Sequence, residues 1–395
     1  MTQDLKADVA VIGGGIMGSA AAYFLAASGS AGDVVVIEPD PAYARAATPA
    51  GAGGVRRLMS RPENIRMSQF SLDFYAGFAG TMATQDGPAD ISFRRQGYLF
   101  LTGAQGVDAL TLNHRTQTEE GVEADLLEPA QLHDRFPSIG LDGVALACHS
   151  PRDGWIDPHA ALMGFRRKAQ QLGVTYVKDR AAALETSASA VTRARLEGGG
   201  SVAAKLFINT AGPWAGEVAA MTGARLPVVP LCRVQHYWEC AHDIEPLPLV
   251  KDDSGAFFRP EGKGFAGGRP SFDIEPGFIW DVDRGFFANY FEETVWQLLA
   301  NMVPKFQDIR LKRTWAGHYG QNLLDGNMII GRYSPGHGNI LVACGFSGHG
   351  IMHAPAVGRA LAELALHGEY RTLDLTRMEF GRVLRNEPYA EVGIK

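Results

Sequence analysis

Cysteine is scarce in this chain. Its four cysteines, Cys148, Cys232, Cys240 and Cys344, are scattered and form no C-x-x-C pair, which argues against a disulfide framework or a thiolate zinc site; no metal is expected. Long apolar runs are missing too: none reaches the ~18 residues that a membrane-spanning helix requires. The first strand pattern begins within ten residues of Met1, which leaves no room for a signal peptide ahead of the fold, and a cytoplasmic location is the default expectation. Excess basic charge is also absent. The net charge is -6 and no Lys/Arg stripe is interleaved with aromatics, so a nucleic-acid footprint is excluded. There is no internal repeat or low-complexity linker. What remains is a globular composition, 46% apolar and 20% charged over 395 residues, long enough for two domains or one elaborated domain. Glycine is the abundant residue, with 47 copies, and suits a loop-rich nucleotide binder.

The glycines matter most near the start. Asp8-Val-Ala-Val-Ile12 is a short β-branched run, as a buried parallel strand should be. Gly13, Gly15 and Gly18 follow it with G-x-G-x-x-G spacing. Ser19 to Ser28 is Ala-rich and reads as a helix. Asp33 to Ile37 reads as a second strand and ends in Glu38, twenty residues beyond Gly18. The first glycine makes the tight turn, the second admits a pyrophosphate to the backbone, and the third lets helix and strand pack closely. The helix N-terminus supplies N–H donors, and the acid binds a ribose hydroxyl. This order predicts a dinucleotide site and leaves NAD or FAD open.

Farther along, Pro39 to Gly54 is too rich in Ala, Pro and Gly for regular structure. Helices are predicted from Pro62 through Phe78, over Ala104–Glu120 and Pro129–Phe136, from Asp157-Pro158 to Gly173, over Phe291–Asn301 and over Ile351–His367. Strands are predicted at Gln96–Leu101, Val174–Val177, on both sides of Gly198–Gly200, at Lys205–Gly212 and at Asn339–Cys344. The alternation from Val228 to Arg269 reads as an antiparallel sheet. Three buried strands thus end in glycine-rich turns that open helices, at Gly13, Gly212 and Gly345. The expected architecture is α/β: a discontinuous nucleotide domain from 1–85, 150–222 and 315–395, and an α+β substrate domain with an antiparallel sheet from 86–149 and 223–314.

With these residues in view, the chain resembles the D-amino-acid-oxidase-like superfamily of FAD enzymes, with sarcosine oxidase, glycine oxidase and dimethylglycine dehydrogenase in the same branch. It is most similar to the group called FAD-dependent oxidoreductase domain proteins. The resemblance rests on Ala52-Gly53-Gly54-Val55-Arg56, Ser254 to Gly262, Trp315 to Tyr319 with Asp325, and Gly345-Phe-Ser-Gly-His-Gly350. It implies a Rossmann-like FAD-binding domain, with FAD held noncovalently because Gly317-His318-Tyr319 lacks the cysteine that tethers FAD in sarcosine oxidase. It places Gly13, Gly15, Ile16, Met17 and Gly18 on the pyrophosphate and Glu38 on the ribose. Arg45 and Thr48 fall on phosphate or ribityl oxygens, and Ala52, Gly53, Gly54 and Val55 along the isoalloxazine edge. Ala182 falls by adenine and Ala211-Gly212 by the phosphates. Gly348, His349, Gly350, Ile351 and Met352 would form a helix N-terminus at the flavin C2 carbonyl, where a helix dipole stabilises negative charge.

The implied activity is oxidation of an amine or amino acid, a secondary or N-substituted one, with hydride passing to flavin N5 and the imine hydrolysing. A D-amino-acid or 2-hydroxy-acid dehydrogenase is an alternative, as is a non-catalytic FAD-binding assembly protein. The electron acceptor would be O₂, a quinone or an electron-transfer protein, and an oligomer is compatible. Catalytic roles are expected of Arg56 and His349 beside the flavin and of Arg259 and Arg269 as carboxylate anchors, because an arginine fork holds a carboxylate in bidentate fashion. The positions that match the carboxylate-holding Arg and Lys of sarcosine oxidase are Met59 and Met352, and neither can play that part.

Overall fold

The computed structural model describes residues 3–271, 273–333 and 336–394. Two sheets carry the molecule. In the first, five parallel strands run in the order Ile340–Cys344, Gly200–Asn209, Gln3–Ile12, Val34–Ile37 and Thr175–Val177. Ile329–Arg332 adds an antiparallel edge, and the hairpin Ala181–Thr186/Val191–Leu196 joins beside Gly200–Asn209. The central strands are buried on both faces, which is why they read as continuous β-branched runs. The helices Ile16–Ala27 and Gly350–His367 lie against one another over this sheet. Small residues let them close in: a Cβ on Gly358 would stand 2.7 Å from Ala20 Cβ.

Pro355 lies inside the second of these helices. It has no N–H to give to the Ile351 carbonyl. Tyr75, on helix Pro62–Ala76, fills the gap, its hydroxyl donating to Ile351 O at 2.7 Å. Phe74 of that same helix stacks on Phe165 of Pro158–Gln171. The helix expected to run through Phe78 breaks at Gly77, and a separate turn Phe78–Thr81 follows. The helix expected over Phe291–Asn301 starts as a π-turn, Phe291–Val295, before Trp296–Met302 becomes α-helical.

The second sheet has eight strands, in the order Ile309–Asn322, Val228–Cys240, Gly264–Gly268, Phe257–Glu261, Leu249–Asp252, Tyr98–Thr102, Leu146–Ser150 and Asp125–Leu127. All neighbours are antiparallel except Leu249–Asp252 with Tyr98–Thr102. Ile309–Asn322 runs unbroken past the expected boundary between 314 and 315. It pairs with Val228–Cys240 along its whole length, and its last residues reach the glycine turns of the first sheet. Ser347 N donates to Gly320 O, and Asn322 N donates to Ser347 Oγ.

Candidate active site

Between the two sheets lies a cavity of about 920 Å³. Its floor is the carboxyl end of the parallel strands, the place where open α/β sheets bind ligands. Gly13 has φ +94°, and a Cβ there would stand 2.7 Å from the backbone of Thr210 and Ala211. Gly15 has open space where its Cβ would be, as a backbone approached by a ligand requires. Gly18 does something else. It faces Gly13 O, which a Cβ would meet at 1.9 Å, and it does not line the cavity.

Two helix N-termini open into this space. Ile16–Ala27 starts at Gly15 and Gly350–His367 at His349; neither has a side-chain cap or an acid in its first turn. Two other helices are capped, Asp157 accepting from Ala160 N and Glu128 with Gln131 forming a capping box, while Pro62–Ala76 and Val107–Glu119 have no side-chain cap but carry an acid in the first turn. Leaving both ends uncapped at one cavity keeps their N–H groups and positive dipole ends for an anionic or electron-rich ligand. Glu38 faces the same floor and accepts from Gly14 N at 2.8 Å and Asp40 N at 2.9 Å. Each oxygen keeps acceptor capacity for a hydroxyl. Burial pushes its pKa up, and those two backbone bonds pull it back.

The predicted cofactor residues Gly13, Gly15, Ile16, Met17, Glu38, Arg45, Thr48, Ala52, Gly53, Gly54, Ala211, Gly212, Gly348, His349, Gly350, Ile351 and Met352 all line the cavity. Val55 and Ala182 do not. Val55 is fully buried in the core, and Ala182 is exposed while its neighbour Ala181 is at the wall. Arg45 stacks over Trp280, 5.1 Å from the ring centroid. Thr210, which the sequence reading passed over, ties the first turn by donating to Gly13 O at 2.8 Å.

The roof is one face of the antiparallel sheet. Lys251 pairs with Phe100 on one side and Phe257 on the other, and Phe257 pairs with Gly268. Gly268 lies against Gln235, and Arg233 sits two residues from Gln235 on the same face. Arg269 follows Gly268 and lines the cavity, its Nε 3.2 Å from Ser254 O and its Nη1 3.4 Å from Tyr290 Oη. Arg259, expected to act beside Arg269, is a clamp instead. It donates to Ala52 O at 2.7 Å and pairs with Glu261, and it does not line the cavity.

Arg56 is 2% exposed. It donates to Leu58 O and lies over the rings of Tyr98 and Phe100. Arg57 turns the other way, onto buried Asp153 at 2.8 Å. Lys251 and Arg233 were missed by sequence reasoning; period-two alternation fixes their shared face only once the strand register is known. Burial, then the neighbouring Arg56, draws the Lys251 ammonium down to about 7. His353, one helical turn beyond His349, is buried and held down to about 3 by burial and then Arg56. Met59 is in the core and Met352 at the cavity wall.

Residues 8–364 match the family model described as FAD dependent oxidoreductase. FAD-dependent oxidoreductase domain-containing protein 1 of Xenopus laevis is 39% identical, the alignment covering 98% of this chain and 85% of that protein. The rat (Rattus norvegicus) mitochondrial dimethylglycine dehydrogenase is 27% identical over 95% of this chain and 45% of its own length. Among solved structures, L-proline dehydrogenase from P. horikoshii superposes with a TM-score of 0.85 at 26% identity, covering 98% of this chain and all of that one. Among the described residues no helix is long and apolar enough to cross a membrane.

Proposed function

The chain belongs to the FAD-dependent oxidoreductase family, and we propose that it oxidises an amino acid, a secondary or N-substituted one, to an imine that water hydrolyses. Bound FAD supplies the hydride acceptor. The observation that carries the reading is the facing of two uncapped helix N-termini and a glycine turn by a roof that bears Arg233, Lys251 and Arg269. The floor suits an extended dinucleotide. The roof suits a small acid.

In this reading Gly13, Gly15 and the Ile16 helix end hold the pyrophosphate, and Glu38 takes the ribose. The backbone N–H groups after His349 support the flavin ring. Arg269 and Lys251 hold the substrate carboxylate, the task for which Met59 and Met352 are unfit, and Tyr98 and Phe257 wall the α-carbon. The positive surroundings disfavour an ammonium and so favour the neutral amine from which hydride can leave. No cysteine is among the described lining residues, which supports noncovalent FAD. The names of the relatives, a dimethylglycine dehydrogenase and an L-proline dehydrogenase, point to the same substrate class.

The test is anaerobic mixing of the yellow protein with N-alkyl amino acids, D-amino acids, simple amines and 2-hydroxy acids. N-substituted amino acids are expected to bleach the flavin. Bleaching by 2-hydroxy acids alone would replace the reading with a hydroxy-acid dehydrogenase, and bleaching by none of them with a non-catalytic flavoprotein. Acid precipitation should release the flavin; flavin retained in the pellet would overturn the noncovalent assignment.

A further inference from the structure

We propose that the segment 389–394 is the gatepost of the substrate port: the substrate reaches the flavin end of the cavity past Gly393 and Ile394, and the Ile394 side chain limits the size of the substituent that enters. This rests on the amine-oxidising reading above and adds the residue that sets substrate size. The segment belongs to no helix or strand, yet Gly393 and Ile394 line the cavity. Gly393 is exposed and Ile394 half-buried, so the cavity meets solvent at this point.

The cavity has a second rim. Glu38 N donates to Val177 O, and shortly beyond Val177 the exposed pair Arg180–Glu217 also lines the cavity. In the proposed reading that rim, beside Glu38, belongs to the nucleotide, and a bound dinucleotide closes it to a substrate. Ile394 has a different setting. It packs against the cluster of Leu58, Tyr98, Phe100, Trp155 and Leu249. Arg56 lies over Tyr98 and Phe100, and a Cβ on Gly54 would stand 3.1 Å from Tyr98 Oη. Ile394 is therefore grouped with Gly54, Arg56 and Tyr98, which the proposed reading puts beside the flavin ring and the α-carbon. An apolar side chain there suits the carbon substituent of a substrate and not its carboxylate.

The segment is held in place. Tyr389 N donates to Asp325 Oδ2 at 2.7 Å, and Tyr389 O accepts from Asn327 Nδ2 at 2.8 Å. The buried Glu391 carboxylate accepts from Ser60 N at 2.6 Å, Ser60 Oγ at 2.7 Å and Asn64 Nδ2 at 2.5 Å. Burying a carboxylate is costly unless its oxygens are bonded, so this acid ties the segment to the stretch that follows Arg56. Val392 N donates to Ser60 Oγ at 2.8 Å, and Val392 O accepts at 2.8 Å from Asn113 Nδ2 of helix Val107–Glu119. Gly393, at φ +79°, then turns the chain at the cavity edge. Ile394 is thus anchored to the same stretch that carries Arg56, and a side chain fixed in this way can act as a size limit.

The experiment uses FAD-loaded wild-type protein, Ile394→Ala and Ile394→Trp with two homologous series. Straight-chain acids from propionate to hexanoate cannot be oxidised at an amine; their binding and association rates are read from the shift in flavin absorbance. Glycines with N-alkyl groups from methyl to butyl are the substrates, read as kred/Kd in anaerobic mixing. Ile394→Ala opens room for about two methylenes, so hexanoate and N-butylglycine should each gain about tenfold relative to the shortest member of their series. Ile394→Trp should turn the preference toward the short members and slow the association of all of them, with flavin content unchanged. A side chain that only packs would lower Tm in both variants without moving the length preference. A length preference and association rates shared by wild type and both variants would overturn the proposal, and the amine-oxidising reading would survive it if the glycines still bleach the flavin. A shifted preference among the acids with no bleaching by any glycine would leave the port standing and defeat that reading instead. Failure of both series to bind to wild-type protein would overturn both. Flavin content and circular dichroism establish that each variant is folded.

Discussion

Below the cavity the chain presents backbone, and above it the chain presents charged side chains. Gly13, Gly15, Gly212 and two uncapped helix ends make the floor; Arg233, Lys251 and Arg269 make the roof. A backbone site binds what is large and common to a family, in the proposed reading the FAD pyrophosphate and ring, through donors whose positions are set by helix and turn geometry. A side-chain site is free to change with the substrate while the sheet beneath it stays the same. The two halves should therefore fail differently when they are altered.

The largest effect is expected on the floor. Gly13→Ala puts a Cβ 2.7 Å from the Thr210 and Ala211 backbone at φ +94°, and neither neighbour is a side chain that can swing away. The purified variant should carry almost no flavin, measured as the flavin-to-protein absorbance ratio. Glu38→Ala comes next. It removes the acceptor for Gly14 N and Asp40 N as well as the proposed ribose contact, so FAD affinity should drop by about 10–100-fold, or roughly 1.5–3 kcal/mol, in a titration of apoprotein.

Changes to the roof should leave flavin content alone and alter the affinity for acids. Lys251 is charged below its pKa of about 7 and neutral above it, so carboxylate binding should weaken by up to about tenfold per pH unit above that value and be flat there in Lys251→Met. Bound acid should raise the Lys251 pKa, so binding near pH 7.5 takes up protons, which calorimetry in buffers of different ionisation enthalpy detects.

Two smaller effects test the frame that joins the halves. Tyr75→Phe leaves Ile351 O without the donor that replaces the missing Pro355 N–H, and about 1 kcal/mol of stability should be lost, read as a lower Tm. Acid should destabilise the protein through its buried histidines. His149, His236 and His318 are held down to about 4 and His353 to about 3, all chiefly by burial. An unfolded histidine titrates near ~6.5, so the unfolded chain binds more protons below that pH and stability falls as pH drops from there toward 4. His353→Met should show a shallower fall in Tm over that range.

The same contrast explains what could be read in advance. A floor built from backbone forces glycine at fixed spacing, so Gly13, Gly15 and Gly345 and the parallel strands before them were legible from the sequence. The spacing could not tell Gly15, which faces the cavity, from Gly18, which faces Gly13 O. Roof positions depend on register between strands far apart in the chain. Arg259 and Arg269 flank one hairpin and both were candidate anchors, but Glu261 two residues on offered Arg259 a partner, and Arg259 is indeed taken by Ala52 O and Glu261. Lys251 belongs to no motif in the sequence, and only its pairing with Phe100 and Phe257 brings it to the roof. Val55 and Ala182 were drawn from family resemblance, and their neighbours Gly54 and Ala181 are the residues at the wall.

The most direct measurement is rapid anaerobic mixing of the FAD-loaded protein with an N-alkyl amino acid and, separately, with the 2-hydroxy acid of the same carbon skeleton. Loss of the oxidised-flavin absorbance is expected with the amine only, at a kred/Kd that falls at least about tenfold in Lys251→Met at pH 6.5. Reduction by the hydroxy acid in preference, or by the amine with wild-type kred/Kd in Lys251→Met, would contradict it.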